Sequence, residues 1–203
     1  MPKATFINLK EEKSMRVYEV LIDIFHEKHV SQVTVSEIVK SLDMSRGAFY
    51  KYFDDIYDAY YTTAKKCSND VHIKIMQYIE KNQDQFLSGL KDYLSWCADL
   101  DPSSMDWKSI QLLTLSNANV YANRSKNLEE DLDSKMVTQW MHLLNKNDLS
   151  FPSKEEALYF LYFVERLVIT SLQDFVVNRW SKAELLRDFS YKEKWLLHGI
   201  TNN

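Results

Sequence analysis

Thr34-Val35-Ser36-Glu37-Ile38-Val39-Lys40-Ser41-Leu42-Asp43-Met44-Ser45-Arg46-Gly47-Ala48-Phe49-Tyr50-Lys51-Tyr52-Phe53 is the stretch that decides the fold. Thr34 and Glu37 have the spacing of a capping box, and Ile38, Val39 and Leu42 give the short helix behind it a buried face. After Asp43 and Met44, Ser45 can cap another short helix running to about Phe53. The two helices are then joined by about 2 to 4 residues, the spacing of a helix-turn-helix. On a helix advancing about 100° per residue, with Ser45 at 0°, Arg46, Tyr50, Gly47 and Lys51 fall between about 100° and 240°, whereas Phe49 and Phe53 fall at about 40° and 80°. One face is large and apolar; the other offers two cations, a phenol and a residue without a side chain, and residues 45–53 contain no acid. A glycine within a helix costs about 1 kcal/mol relative to alanine, so Gly47 in the first turn suits a surface that a groove must approach closely.

The polar face has the chemistry of a DNA reader. Arg46 can pair bidentately with guanine in a major groove, and Lys51 can reach a base edge or a phosphate. The phenols of Tyr50 and Tyr52 can donate to phosphates, and Thr34 sits at a helix N-terminus whose free N–H groups and dipole favour an anion. Periodicity alone also allows a plain packing motif with Tyr52 half-buried. Working outward, Tyr18, Leu21, Ile22 and Phe25 form an apolar stripe on a preceding helix, with Asn8 and Glu11 as its cap and N3 partner, and His29 is expected to close that helix.

Composition extends the helical reading to the whole chain. Three Gly and three Pro in 203 residues compare with roughly 12% in average usage. The shortage excludes turn-rich β-sandwiches, barrels and tightly looped βαβ architectures. Hydrophobic residues make up 45% and aromatics 13%, which excludes a disordered chain. Periodicity places further helices over 56–81, 84–100, 105–123, 126–145, 154–180 and 182–198, with Pro102 and Pro152 in polar connections. The expectation is an all-α protein of about nine helices: a three-helix head over residues 1–55, and a helical ligand-binding and dimerisation body over 56–203.

The stretch from Phe25 through Thr34–Val39 to the segment Ser45-Arg46-Gly47-Ala48-Phe49-Tyr50-Lys51-Tyr52-Phe53 resembles the N-terminal DNA-binding domain of the TetR family of bacterial transcriptional regulators. The resemblance covers about residues 10–60. It implies a DNA-binding head, a divergent all-helical ligand-binding body and a homodimer. It implies that Arg46, Gly47, Tyr50 and Lys51 face DNA, that Thr34 and Tyr52 meet phosphates, and that Ser36 reaches a base; Ser45 completes this DNA-binding set. Three departures stand out. His29 and Asp43 occupy places where the family often has glycine. Ile56 replaces a frequent lysine, and Asp54 and Asp55 stand beside it. Residues 1–66 hold ten basic and ten acidic side chains, so a shallow salt dependence of operator binding is expected.

In the body, residues 158–169 are apolar nearly all round the helix, so both sides require cover. One cover is the body's own core. By the resemblance the other is a second subunit, in a homodimer built from residues 154–180 and 182–198, although a central helix of a monomer has the same periodicity. Glu165 shares a face with Leu158, Leu161, Ile169 and Leu172. It either faces a pocket for a cationic ligand or pairs with Arg166 or Arg179. Trp96, Trp107 and Trp140, with Gln111 and Tyr162, are candidates to line an aromatic cavity for a largely apolar effector.

Other function classes lack their signatures. Cys67 and Cys97 lie outside metal-ligand spacing and the five histidines are scattered, so no metal site and no cofactor are expected. No Gly-rich phosphate loop, nucleophile elbow or HExxH is present, which disfavours an enzyme and leaves no catalytic residues to name. The run of large apolar residues 158–164 is far shorter than the roughly 18 a membrane span needs. The opening residues do not read as a signal peptide, so a cytoplasmic protein with reduced thiols is expected. The leading functional expectation is a ligand-responsive transcriptional regulator, as a repressor bound to a palindromic operator and released by a small molecule. The alternative is a TetR-like co-regulator that acts through a protein partner without binding an operator.

Overall fold

The computed structural model describes residues 2–82, 85–115, 132 and 134–199. Among these residues all regular structure is helical: α1 (Ala4–Ile7), α2 (Glu11–Phe25), a 3-10 turn (Val30–Gln32), α3 (Val35–Ser41), α4 (Arg46–Tyr52), α5 (Ile56–Lys81), α6 (Phe86–Ala98), α7 (Met105–Leu115), α8 (Lys135–Lys146), α9 (Lys154–Val177) and α10 (Lys182–His198). The all-α expectation holds. Nine of these helices answer to the nine read from periodicity, and α1 is a single turn too short to show a period. The expected extension of α7 toward residue 123 and the helix start at Lys126 lie outside the described residues.

Packing divides the chain into two compact units, Met1–Asp70 with Asp101–Ala122, and Val71–Leu100 with Asn123–Asn203. In the first unit α1 to α4 and the start of α5 bury Phe6, Leu21, Phe25, Ile38, Phe49 and Phe53, and α7 packs on α2. A Lys108–Asp23 ion pair at 2.6 Å ties α7 to α2. The expected division at residues 55 and 56 separates parts by role; by packing, α7 and the first part of α5 join the head.

Two local expectations are corrected here. Asn8 does not cap α2: it closes α1, its N–H bonded to the Ala4 carbonyl at 2.9 Å, and Lys10 precedes α2 without a side-chain cap. Burial of Phe6 creates this extra turn. His29 does not end α2, which stops at Phe25 with His26 as its cap. Instead His29 is extended and starts the 3-10 turn, its ring accepting from the Ser31 N–H at 3.3 Å.

In the second unit α10 packs on α6 and α9 around buried Leu90, Leu94, Trp140, Leu172, Leu185 and Phe189. Ser134, Ser153 and Ser181 each accept an N–H from the third residue of the helix that follows, and Ser181 with Glu184 forms a complete capping box. Cys67 and Cys97 are free and buried. Burial pushes the Cys67 thiol up to about 11, so it is an inert packing group. No helix among the described residues is long and apolar enough to cross a membrane.

Gly89 marks a close helix contact in this unit. A Cβ built there would lie 2.5 Å from Ile79 Cα and 3.0 Å from the Tyr78 carbonyl oxygen. Both are backbone atoms, which cannot rotate aside, so Gly89→Ala must push α6 off α5. The expected cost is about 1–3 kcal/mol, read as a lower urea midpoint with unchanged helical circular dichroism.

Candidate nucleic-acid interface

The head presents α4 on two well-formed ends. Ser45 Oγ accepts the Ala48 N–H at 3.2 Å, and Thr34 Oγ1 accepts the Glu37 N–H at 3.2 Å at the start of α3. The capping box expected at Thr34 is half formed, because the Glu37 carboxylate takes the Lys28 ammonium at 2.5 Å instead of reaching back. Between the helices Asp43 adopts the left-handed region, at φ 48°. Its N–H bonds to the Lys40 carbonyl at 3.3 Å and the Met44 N–H to the Val39 carbonyl at 3.0 Å. This is a Schellman turn with aspartate where glycine is usual, and aspartate tolerates the conformation better than most residues.

Phe49 and Phe53 are fully buried, while Thr34, Ser36, Ser45, Arg46, Gly47, Tyr50 and Lys51 are exposed. Seven of the eight residues expected to meet DNA therefore lie on the surface of α3, α4 and their caps. Arg46 donates to Ser36 Oγ at 3.3 Å, and its guanidinium carbon lies 5.9 Å from the Tyr50 ring centre. Three members of the set are thus in contact before any DNA is bound. Tyr52 differs: its ring is buried, 5.7 Å from Phe6.

The acids after α4 have structural partners. Asp55 Oδ1 accepts the Asp58 N–H at 2.8 Å and caps α5, while Asp58 Oδ2 accepts the Asp54 N–H at 3.0 Å. Asp54 itself pairs with Lys3 at 2.9 Å. Lys3 also closes α4: its ammonium donates to the Tyr50 carbonyl and its backbone N–H to the Tyr52 carbonyl, each at 2.9 Å. Neither the Lys3 clamp nor α1 was visible in the sequence, since a lysine 51 positions away from Asp54 leaves no periodic trace.

Six body residues carried ligand expectations. Trp107 and Gln111 belong to α7 in the first unit, and Trp96, Trp140, Tyr162 and Glu165 to the second. Within the second unit the three candidate rings fall in separate groups. Trp96 packs with Tyr93 and Tyr78 and carries the Lys74 ammonium over its face at 4.7 Å. Trp140 is fully buried against Phe86 and Phe160, its indole N–H donating to the Ala157 carbonyl at 3.0 Å. Tyr162 lies edge-on to Tyr159. Glu165 pairs with His72, whose Nε2 is 2.9 Å from Oε1, with both side chains 11% exposed. Contacts from α5 to α9 across 93 positions cannot be read from spacing on either helix. Neither ring nitrogen of His72 completes a hydrogen bond. Among the described residues no cluster could hold a metal ion.

Comparison with known proteins decides the family. Residues 85–200 match the family described as "Tetracyclin repressor-like, C-terminal domain", and residues 19–58 match "Bacterial regulatory proteins, tetR family". The chain belongs to the TetR family. The TetR match over 19–58 contains all of α3, α4 and the turn between them, and the other spans α6 to α10. In fold the chain is similar to the transcriptional regulator FadR from Bacillus subtilis, crystallised in complex with stearoyl-CoA. The TM-score is 0.59 at 15% identity, over 92% of this chain and 99% of that one. It is also similar to AlkX from Dietzia sp., a TetR family repressor implicated in biodegradation of n-alkanes. There the TM-score is 0.50 at 15% identity, over 89% and 95% of the two chains. No curated protein matches the chain in sequence.

The Lys3 clamp carries a pH signature. The hydrogen bond and charge of Lys3 hold the Asp54 carboxyl below its usual value, and a carboxyl lowered in the folded state stabilises above its unfolded pKa and loses that contribution as pH falls. Lys3→Ala should return the Asp54 titration, followed by side-chain carboxyl NMR, toward the ordinary carboxylate range. The stability deficit of that variant should be full at neutral pH and shrink as the solution is acidified through that range.

Proposed function

We propose that this chain is a ligand-responsive transcriptional repressor, which binds a palindromic operator as a homodimer and is released by a largely apolar small molecule. The observation that carries this reading is the division of α4, with Phe49 and Phe53 buried behind it and Arg46, Gly47, Tyr50 and Lys51 exposed in front. Arg46 reads a guanine, Gly47 lets the helix approach, and Tyr50 and Lys51 hold backbone or base edges. Ser36 meets a base from α3, while Thr34, Ser45 and the Tyr52 hydroxyl engage phosphates.

Assembly is supported by the outward side of the last two helices. On α9, Tyr159 and Phe163 are 43% and 44% exposed, and on α10 Tyr191 and Trp195, stacked at 6.5 Å, are 55% and 53% exposed. Leu196 and Leu197 extend the same helix with further apolar surface. Such a surface calls for cover, and a second copy supplies it by an isologous contact. A two-fold dimer sets its recognition helices about 34–36 Å apart, or a multiple of it, and so asks for a palindromic site.

The effector reading rests on the His72–Glu165 pair, which is nearly buried and leaves both ring nitrogens of His72 without a completed hydrogen bond. Such a pair offers a polar partner to an otherwise apolar ligand, with Trp96 and Tyr162 as aromatic candidates. His72 stands on α5, which begins three residues after Phe53. A ligand that favours a different α5 position releases DNA in proportion to its differential affinity for that state.

Two measurements test this function. In fluorescence-anisotropy titrations on the promoter fragment beside its own gene, Arg46→Ala should cost about 1–3 kcal/mol and relax one base position, while Tyr50→Phe weakens all sites alike. An unchanged footprint with Arg46→Ala removes the base-reading assignment. In sedimentation the protein should run at twice its 24.0 kDa mass at micromolar concentration, and Phe163→Asp should shift it to the monomer; a wild-type monomer sinks the dimer.

A further inference from the structure

A groove of about 660 Å³ opens in the head beside α4 and the turn that precedes it. Lys10, Lys13 and Arg16 of α2 line one side, and Met44, Ala48 and Tyr52 line the other. The three cations are exposed, and no salt bridge engages them among the described residues. Elsewhere in this unit Lys3, Lys28, Lys66 and Lys108 are each paired with an acid, and Lys40 and Lys65 stand apart from one another on α3 and α5. Equal numbers of acids and bases in the head therefore conceal an uneven distribution, in which unpaired positive charge gathers beside the recognition helix. Glu12 and Asp43 also line the groove, leaving it one positive charge in excess.

The position of the groove specifies its occupant. Around α4, with Ser45 at 0°, the exposed reading face ends at Lys51 near 240°, and Ala48 and Tyr52 follow at about 300° and 340°. The groove is thus the next sector beyond the reading face. On the opposite edge Arg46, near 100°, contacts Ser36 of α3. A helix with side chains is about 10–12 Å across and a major groove about 12 Å wide, so a helix seated in it lies between both phosphate strands. Thr34 and Ser36 face one strand; the second passes on the side of Ala48 and Tyr52.

We infer that Lys10, Lys13 and Arg16 bind the second sugar-phosphate strand of the operator, clamping α4 in the major groove from the side opposite α3. This inference rests on operator binding as proposed above and adds a contact surface on α2. Phosphate contacts fix register without reading sequence. The three cations therefore contribute equally to operator and random DNA, and they steepen the salt dependence that the head's balanced charge would otherwise make shallow.

The test is a salt series of anisotropy titrations with the full chain, on the footprinted promoter duplex and on a scrambled duplex of equal length. Each phosphate contact contributes about 0.9 to the slope of log K against log salt. In the Lys10→Gln, Lys13→Gln, Arg16→Gln triple variant the slope should fall by between about two and three for each bound head, while the ratio of operator to scrambled affinity stays constant. A variant with Lys65, Lys135 and Lys154 changed to Gln removes the same charge elsewhere and should leave the slope near wild type. Glu12→Gln, which removes an acid from the groove, should tighten both duplexes and keeps the inference open to refutation even if the triple variant folds poorly. A slope unchanged in the triple variant, or lowered equally in the control, overturns the clamp. If Arg46→Ala still relaxes the footprint in that case, operator reading stands and only the clamp fails. A wild-type chain that binds neither duplex removes both.

Discussion

The head depends on one packing interaction, the burial of Phe49 within a seven-residue helix and of Phe53 at its end. An isolated helix of this length does not hold in water, because nucleation fixes several residues for each hydrogen bond gained. Two fully buried rings, with Phe6 tilted on Phe53 at 4.8 Å, supply the missing stability. They also fix the rotation of α4 about its axis. Because Phe49 and Phe53 point into the core, Arg46, Gly47 and Tyr50 have no other direction than outward. Rotational order of this kind gives a short amphipathic segment one fixed outward face.

Much of this was legible in the sequence because it depends on short-range regularities. The angular separation of Phe49 and Phe53 from Arg46 and Tyr50 follows from helical geometry alone, and the caps at Thr34 and Ser45 act within three residues. The all-helical class followed from the shortage of Gly and Pro together with apolar periodicity. Illegible were the features produced by residues far apart in the chain. Lys3 meets Asp54, and His72 meets Glu165, across separations at which no period survives. Trp140 looked like a candidate lining residue, yet its indole N–H is committed to the Ala157 carbonyl and its ring to Phe86 and Phe160. Composition identifies an aromatic-rich body; only packing tells which rings are core.

Charge was the least legible property. Ten acids and ten bases in residues 1–66 suggested an electrostatically neutral head, and Asp54 and Asp55 suggested repulsion at the end of α4. In the fold Asp55 caps α5, Asp54 is taken by Lys3, Glu37 by Lys28 and Asp23 by Lys108. A net charge is a sum over groups whose fields are already cancelled locally, whereas a polyanion responds to those left uncancelled and close to its surface.

The continuity of α5 has a mechanical consequence. Its 26 residues span roughly 39 Å at about 1.5 Å per residue, and they contain neither glycine nor proline, the usual origins of a kink. Such a helix behaves as a strut, so a sideways push near its middle cannot be absorbed where it is applied. The displacement passes to the joint at its head end. At the head end the joint comprises only Phe53, Asp54 and Asp55, a pivot held by a buried ring, a lysine clamp and a helix cap. Short and pinned on three sides, that joint passes a rotation of the start of α5 to α4 with little slack.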